Sequence, residues 1–197
     1  MADFTSRNGG RPRRLVLIGP PGSGKGTQAQ ILADQLGVPA ISTGEMLRAA
    51  VAAGSDLGKR VRRQMSGGGL VDDPTMAELV RERLARPDAA EGFLLDGYPR
   101  TEGQAATLEE ILAGRGQSLD GALLIEVPEK ELEQRMAGRG REDDDQGVAR
   151  ARLEVYRETN PRLVGYYQRQ GLLREVDGHQ PIERVTLDIL AALGEAR

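Results

Sequence analysis

Residues 15–18, Leu-Val-Leu-Ile, open directly into Gly19-Pro20-Pro21-Gly22-Ser23-Gly24-Lys25-Gly26-Thr27. This is the spacing G-x-x-x-x-G-K, and it restricts the fold more than any other feature. The apolar run predicts a buried strand, and the stretch 25–36 behind the lysine predicts a helix. In that context the glycines let successive amides turn inward on a phosphate, and the helix start aims its positive end at the same point. Lys25 adds a point charge for the outer phosphates, in a chain whose only other lysines are Lys59 and Lys130. A glycine-rich turn with no ligand is the bland alternative, but strand, spacing, lysine and helix all agree on a phosphate loop. One position departs from the general pattern. Gly26 stands where most such loops place a hydroxyl for magnesium, and the first hydroxyl comes at Thr27. Magnesium is therefore expected to be held through Thr27 and water. Regulatory GTPases are disfavoured, since the chain also lacks an Asn-Lys-x-Asp guanine reader.

The remaining pattern repeats strand then helix. Short apolar runs at 14–18, 38–41, 93–95, 122–127 and 172–176 lack strict alternation, as expected of parallel strands covered on both faces. Between them, 25–36, 44–53, 74–84, 101–112, 129–136 and 148–170 predict helices, and 182–193 predicts a last one. Pro161 is expected to split or kink the long 148–170 stretch. This alternation predicts an α/β three-layer fold, a five-stranded parallel sheet with helices on both faces. Two stretches break the rhythm. Residues 42–71 hold two helical pieces without a strand, then Gly67-Gly68-Gly69; residues 138–147 are glycine-bounded and crowded with charge.

Composition narrows the function classes. A net charge of -3 provides no global basic field for nucleic acid. No cysteine is present, so disulfides and thiolate zinc sites are excluded. No apolar stretch reaches the roughly 20 residues that a membrane helix needs. Residues 1–13 are polar and arginine-bearing without an apolar signal core, and are expected to form a frayed tail before one domain, 14–197. A cytoplasmic, monomeric protein is the expectation.

Three further fragments fall at the ends of predicted strands. Ile41-Ser42-Thr43-Gly44-Glu45-Met46-Leu47-Arg48 follows the second, and Asp96-Gly97-Tyr98-Pro99-Arg100 the third, with Gln104 one turn into the next helix. Carboxyl ends of parallel strands are where open α/β sheets bind ligands, so these fragments face one crevice with the phosphate loop. Together with Gly-Pro-Pro-Gly-Ser-Gly-Lys-Gly-Thr-Gln, they make the chain resemble the adenylate kinases, nucleoside monophosphate kinases of the P-loop class, from residue 15 to about 193.

That resemblance implies an activity and its residues. The reaction would be reversible transfer of the terminal phosphoryl group of ATP to AMP, giving two ADP, with Mg2+ and no zinc. Gly22, Ser23, Gly24, Lys25, Gly26 and Thr27 would hold ATP. Residues 42–71 would form the AMP-binding insertion, with Thr43 and Arg48 on AMP and the backbone of Gly69, Leu70 and Val71 along its adenine. Gly97, Tyr98, Pro99 and Arg100 would wall that site, and Gln104 would bond the adenine edge. Asp96 would hold magnesium through water, its bland alternative being an early helix cap. Arg135 and Arg139 would serve ATP, and Arg141 and Arg152 the phosphates being joined or split, with 138–147 a lid of the short form. Backbone near Gln180 would lie against the ATP adenine. His179 is expected to be an exposed loop residue.

The chemistry asks for little proton transfer. A phosphate monoester has its second pKa near ~6, so the attacking oxygen of AMP is already ionised at neutral pH. What is needed is cation density and positioning, which Lys25, Arg48, Arg100, Arg139, Arg141 and Arg152 would supply. Two alternatives stay open at this point: a UMP/CMP or other monophosphate kinase, which would differ at Thr43 and Gln104, and a nucleotide-binding regulator without catalysis.

Overall fold

The computed structural model describes residues 13–137 and 146–194. Its elements run β1 (Arg14–Ile18), α1 (Lys25–Leu36), β2 (Ala40–Ser42), α2 (Thr43–Ala52), α3 (Asp56–Ser66), α4 (Asp73–Leu84), β3 (Phe93–Asp96) and α5 (Glu102–Ala113). Then come β4 (Gly121–Glu126), α6 (Glu129–Ala137), α7 (Gln146–Arg169), β5 (Leu173–Asp177) and α8 (Ile182–Ala192). The five strands form one parallel sheet in the order β2-β3-β1-β4-β5. All five expected strands are present, with their ends moved by one or two residues.

Both faces of this sheet are buried, which is why its strands read as apolar runs. Val16, Ile18, Phe93, Leu95, Ala122 and Leu124 face one core with residues of α4, α5 and α7. Their chain neighbours Leu15, Leu17, Leu94, Leu123 and Ile125 face a second core with α1 and α8. Alternate side chains of a strand point to opposite faces, so a strand covered twice has no place for a polar residue. The start of β1 is held from below: Asp120, 1% exposed, accepts from the backbone N–H groups of both Arg13 and Arg14 at 2.9 Å.

Register sets the site. Leu17 of β1 and Ser42 of β2 both pair with Asp96 of β3. Three strands therefore end level, and the phosphate loop, Thr43 and Gly97 all leave the sheet at one edge. The chain moves from β1 to β2 and β3 on one side and to β4 and β5 on the other, so this edge is the topological switch point.

One of the two outcomes expected at Pro161 is corrected: the proline does not split its helix, because α7 runs for 24 residues with the proline inside. A proline removes only one intrahelical donor, while Leu163 and Tyr167, 2% and 0% exposed, anchor the following turns in the core. Tertiary packing outweighs the local cost.

Candidate functional site

The phosphate loop is built from backbone that other residues resist. Gly22 and Gly24 have φ of 92° and 93°, in the left-handed region that favours glycine. A Cβ on Gly22 would also meet Leu132 O at 3.1 Å, so the loop packs directly on α6. Gly24 begins α1 without any side-chain cap, and its amide-bearing end opens into the crevice. Lys25 Nζ folds over the loop, donating to Gly19 O at 2.7 Å, Pro20 O at 2.9 Å and Ser23 Oγ at 3.4 Å.

Across the crevice, α2 begins at Thr43, whose hydroxyl donates to Asp96 O at 3.3 Å and ties the second strand end to the third. Arg48 lies one turn on, with its guanidinium over Gly44, where a Cβ would sit 3.3 Å from Nη1. Gly97 has φ of 84°, and a Cβ there would strike Thr43 Oγ1 at 2.8 Å. Arg100 Nε donates to Gly97 O at 2.8 Å. A cis bond joins Tyr98 to Pro99. Tyr98 itself is 1% exposed and belongs to the core rather than the crevice wall. Burial, with the Asp73 carboxylate adding to it and Arg81 opposing, pushes its phenol up to about 12.

One crevice of about 630 Å³ joins these pieces. Lys25, Arg48, Asp96, Arg100, Gln104 and Arg152 all line it, together with Gly69 to Val71. The guanidinium of Arg100 reports the crowding. Water reaches its side chain, yet the surrounding walls lower its pKa, Asp96 opposes that, and Arg152 and Arg48 lower it further by like-charge repulsion. Arg48 of α2 and Arg152 of α7 thus both act on Arg100 of the β3–α5 loop. Asp96 does not cap α5, a task done by Thr101, whose hydroxyl accepts from Gln104 N. Its carboxylate turns to the phosphate loop, where a Cβ on Gly26 would lie 3.8 Å from Oδ2.

A family model for adenylate kinase matches residues 17–172. The chain is 49% identical to an adenylate kinase of Thermobifida fusca over 184 residues, covering 91% of this chain and 97% of that one. It is 44% identical to an adenylate kinase of Methylobacterium radiotolerans over 190 residues, 91% and 95% of the two chains. A third, from Corynebacterium urealyticum, is 47% identical over 180 residues, 91% and 98%. This chain belongs to the adenylate kinase family.

Other residues that the adenylate kinase resemblance singles out sit apart from the crevice. Arg135, on α6, pairs with Glu131 at 3.1 Å and donates through Nη2 to Gly178 O at 3.2 Å. Gln180 Nε2 donates to Asp177 O at 3.0 Å and to Asp188 Oδ2 at 3.1 Å. The two are therefore joined through the 178–180 loop, on the α6 side of the phosphate loop. His179 is exposed, as expected. Arg139 and Arg141 lie outside the described residues.

Sequence reasoning missed one wall of this crevice. Val155, Tyr156, Thr159, Asn160 and Leu163 line the crevice beside Arg152. Counted from Arg152 they fall at +3, +4, +7, +8 and +11, one face of one helix. Projecting that helix from its arginine would have found them. The hydrogen bond from Gln104 Nε2 to Asp73 Oδ1, across 31 residues, was also missed, and no local signal marks it.

Proposed function

We propose that the protein transfers the terminal phosphoryl group of ATP reversibly to AMP, giving two ADP. The convergence of Lys25, Arg48, Arg100 and Arg152 from four separate segments on one crevice carries this reading. Similarity to proteins named adenylate kinase, rather than UMP/CMP kinase, supports AMP as acceptor.

ATP sits on the loop from Gly22 to Thr27, with Lys25 leaving its carbonyl partners for the outer phosphates. AMP sits between α2 and the Gly97–Arg100 loop. Arg48 takes its phosphate, Thr43 and the backbone of Gly69, Leu70 and Val71 its nucleoside, and Gln104 its adenine edge. Arg100 and Arg152 face the group in flight, with Arg139 and Arg141 assigned there by family resemblance. Arg135 and Gln180 border the ATP adenine. These cations neutralise two polyanions and the charge that spreads over the moving phosphoryl group. Because the acceptor oxygen is already ionised, positioning and electrostatics complete the catalysis.

Magnesium fits this site. A small hard cation takes oxygen ligands, keeps several waters and is bound through one or two carboxylates plus substrate phosphates. Asp96 and Thr27 both line the crevice at the phosphate loop, and the chain has no cysteine to hold zinc. Thr27, and Asp96 through water, would hold the ion, which would supply positive charge against the phosphates.

Residues 14–197 act as one domain, with 42–71 the AMP-binding insertion, 138–147 the short lid and 1–13 a tail. A cytoplasmic monomer without a membrane partner belongs to this reading, and the net charge of -3, which gives no global basic field, supports the absence of a nucleic-acid partner. Among the described residues no helix is long and apolar enough to cross a membrane. The test is a coupled assay of ADP formation across AMP, UMP, CMP and GMP, with Lys25→Met as control. We expect AMP to be preferred and Lys25→Met to lose nearly all turnover. A preference for UMP or CMP overturns the acceptor, and absence of transfer by the wild type overturns the enzyme.

A further inference from the structure

Gln104 is held at both ends of its side-chain amide. It is 2% exposed. Its Oε1 accepts from the Arg100 backbone N–H at 2.8 Å, and its Nε2 donates to Asp73 Oδ1 at 2.8 Å. A primary amide is nearly symmetric in shape and is easily turned over with oxygen and nitrogen exchanged. Here the partners decide which end is which. A backbone N–H only donates, and an ionised carboxylate only accepts. A reversed amide would set donor against donor and acceptor against acceptor.

Each end keeps one further hydrogen-bonding position: a second lone pair on Oε1 and a second hydrogen on Nε2. Gln104 lines the crevice, so these are what it can offer a base. Adenine carries a 6-amino donor beside an N1 acceptor and complements an acceptor-donor pair. A 6-oxopurine carries the opposite, an O6 acceptor beside an N1–H donor. The reversed amide would suit that base equally well. Whatever fixes the amide therefore fixes the choice between 6-amino and 6-oxo purines.

Of the two locks, the Arg100 N–H is backbone and survives any substitution there short of proline. Only the Asp73 lock is written in a side chain. We propose that Asp73 is a specificity-determining residue that acts through Gln104, orienting its amide to select a 6-aminopurine monophosphate. This rests on the reading above that Gln104 faces the adenine of AMP. Asp73 is spared for the task. It opens α4, but the cap of that helix is Asp72, whose Oδ1 accepts from Thr75 N at 3.0 Å. The approach of α4 to α5 is close at this point, since a Cβ on Gly103 would lie 3.6 Å from Asp73 Oδ2. Asp73 thus spans from the insertion side of the site to the helix bearing Gln104, 31 residues away.

The experiment compares kcat/KM for AMP and for inosine 5′-monophosphate, at saturating ATP, in wild type, Asp73→Asn and Asp72→Asn. Asparagine keeps the size of Asp73 but offers a donor as readily as an acceptor, which removes one of the two locks and leaves the amide held by the Arg100 N–H alone. We expect the AMP-to-IMP ratio to fall about tenfold in Asp73→Asn, on the scale of one hydrogen bond to a charged group. The change should appear in KM for the monophosphate, with KM for ATP unmoved. Asp72→Asn, which exchanges one good helix cap for another, should keep the ratio. In a Gln104→Ala background Asp73→Asn should leave the ratio where it stands. An Asp73→Asn ratio within about twofold of wild type, or an equal loss in Asp72→Asn, overturns the inference while the AMP reading survives. A wild type that accepts IMP as readily as AMP overturns both.

Discussion

Gly58 gives the sharpest mechanical test of the proposal that residues 42–71 bind AMP. It lies in the first turn of α3, where a Cβ would come 2.1 Å from Ala50 O and 2.7 Å from Val51 Cα of the facing helix. Two effects of Gly58→Ala oppose one another. In an exposed helix the change would stabilise by about 1 kcal/mol through helix propensity. Against a fixed carbonyl it overpacks, at a cost near the top of the ~1–3 kcal/mol range because backbone, unlike a side-chain tip, has no other rotamer. The net loss is about 2 kcal/mol, or a fall in Tm of roughly 4–8 °C for a chain of this size. Relieving the contact requires α2 and α3 to part by about 1 Å, and displacements of that size cost up to ~10²-fold in rate when they misplace substrate-binding groups. Because α2 carries Thr43 and Arg48, KM for AMP should rise at least about tenfold while KM for ATP stays put. Thermal melting and a two-substrate steady-state assay read both numbers. A variant that melts higher than wild type, with KM for AMP unchanged, would refute the packing argument and the assignment of α2 to AMP together.

Two further outcomes follow from the same geometry. Arg100→Lys and Arg152→Lys should each lower kcat about 10³-fold, the scale of an arginine that stabilises a phosphoryl in flight; a loss under about tenfold in single-turnover measurements would remove that residue from the transferring group. The four tyrosines of the chain should resist ionisation, since burial pushes Tyr98 and Tyr156 up to about 12 and raises Tyr166 and Tyr167 as well. Unfolded phenols ionise near pH ~10, so the unfolded chain holds fewer protons than the native one above that pH. Stability is therefore full below pH ~10 and lost as pH rises towards 12. Half-developed phenolate absorbance at pH 10, with native circular dichroism retained, would contradict this.

The parts of the site that depend on backbone were legible in the sequence, because backbone demands restrict residue types sharply. Gly22 and Gly24 stand at left-handed φ values, and Gly97 stands where a Cβ would strike Thr43 Oγ1. Few other residues tolerate such positions, so the letters announce the shape. The parallel sheet was legible for a related reason: residues 15–18 and 122–125 are apolar throughout because both faces are covered. Contacts that depend on tertiary approach were not legible. Gln104 meets Asp73 across 31 residues, and Arg13 and Arg14 meet Asp120 across more than a hundred, with ordinary polar residues at each end. A split of α7 at Pro161 does not occur because the proline's local cost is real but smaller than the packing of Leu163 and Tyr167 beyond it.

The use of arginine in this crevice follows from its electrostatics. Arg100 is pressed towards deprotonation by the crevice walls and by Arg152 and Arg48, with Asp96 alone opposing among the groups acting on it. A guanidinium starts above ~12 and stays charged after such a shift, whereas an ammonium starts near ~10.4 and moves towards neutrality under the same pressure. Lysine would also lose the planar fork that meets two phosphate oxygens at once. The single lysine lining the crevice has different surroundings: Lys25 Nζ lies against the carbonyls of Gly19 and Pro20. Repulsion among the arginines in turn makes the crevice more receptive to two polyanions than any one of them would be. The nucleotides bring further negative charge to these cations. Thermal stabilisation by a bisubstrate analogue carrying both adenosines and the full phosphate bridge should therefore weaken with added salt more steeply than stabilisation by AMP alone.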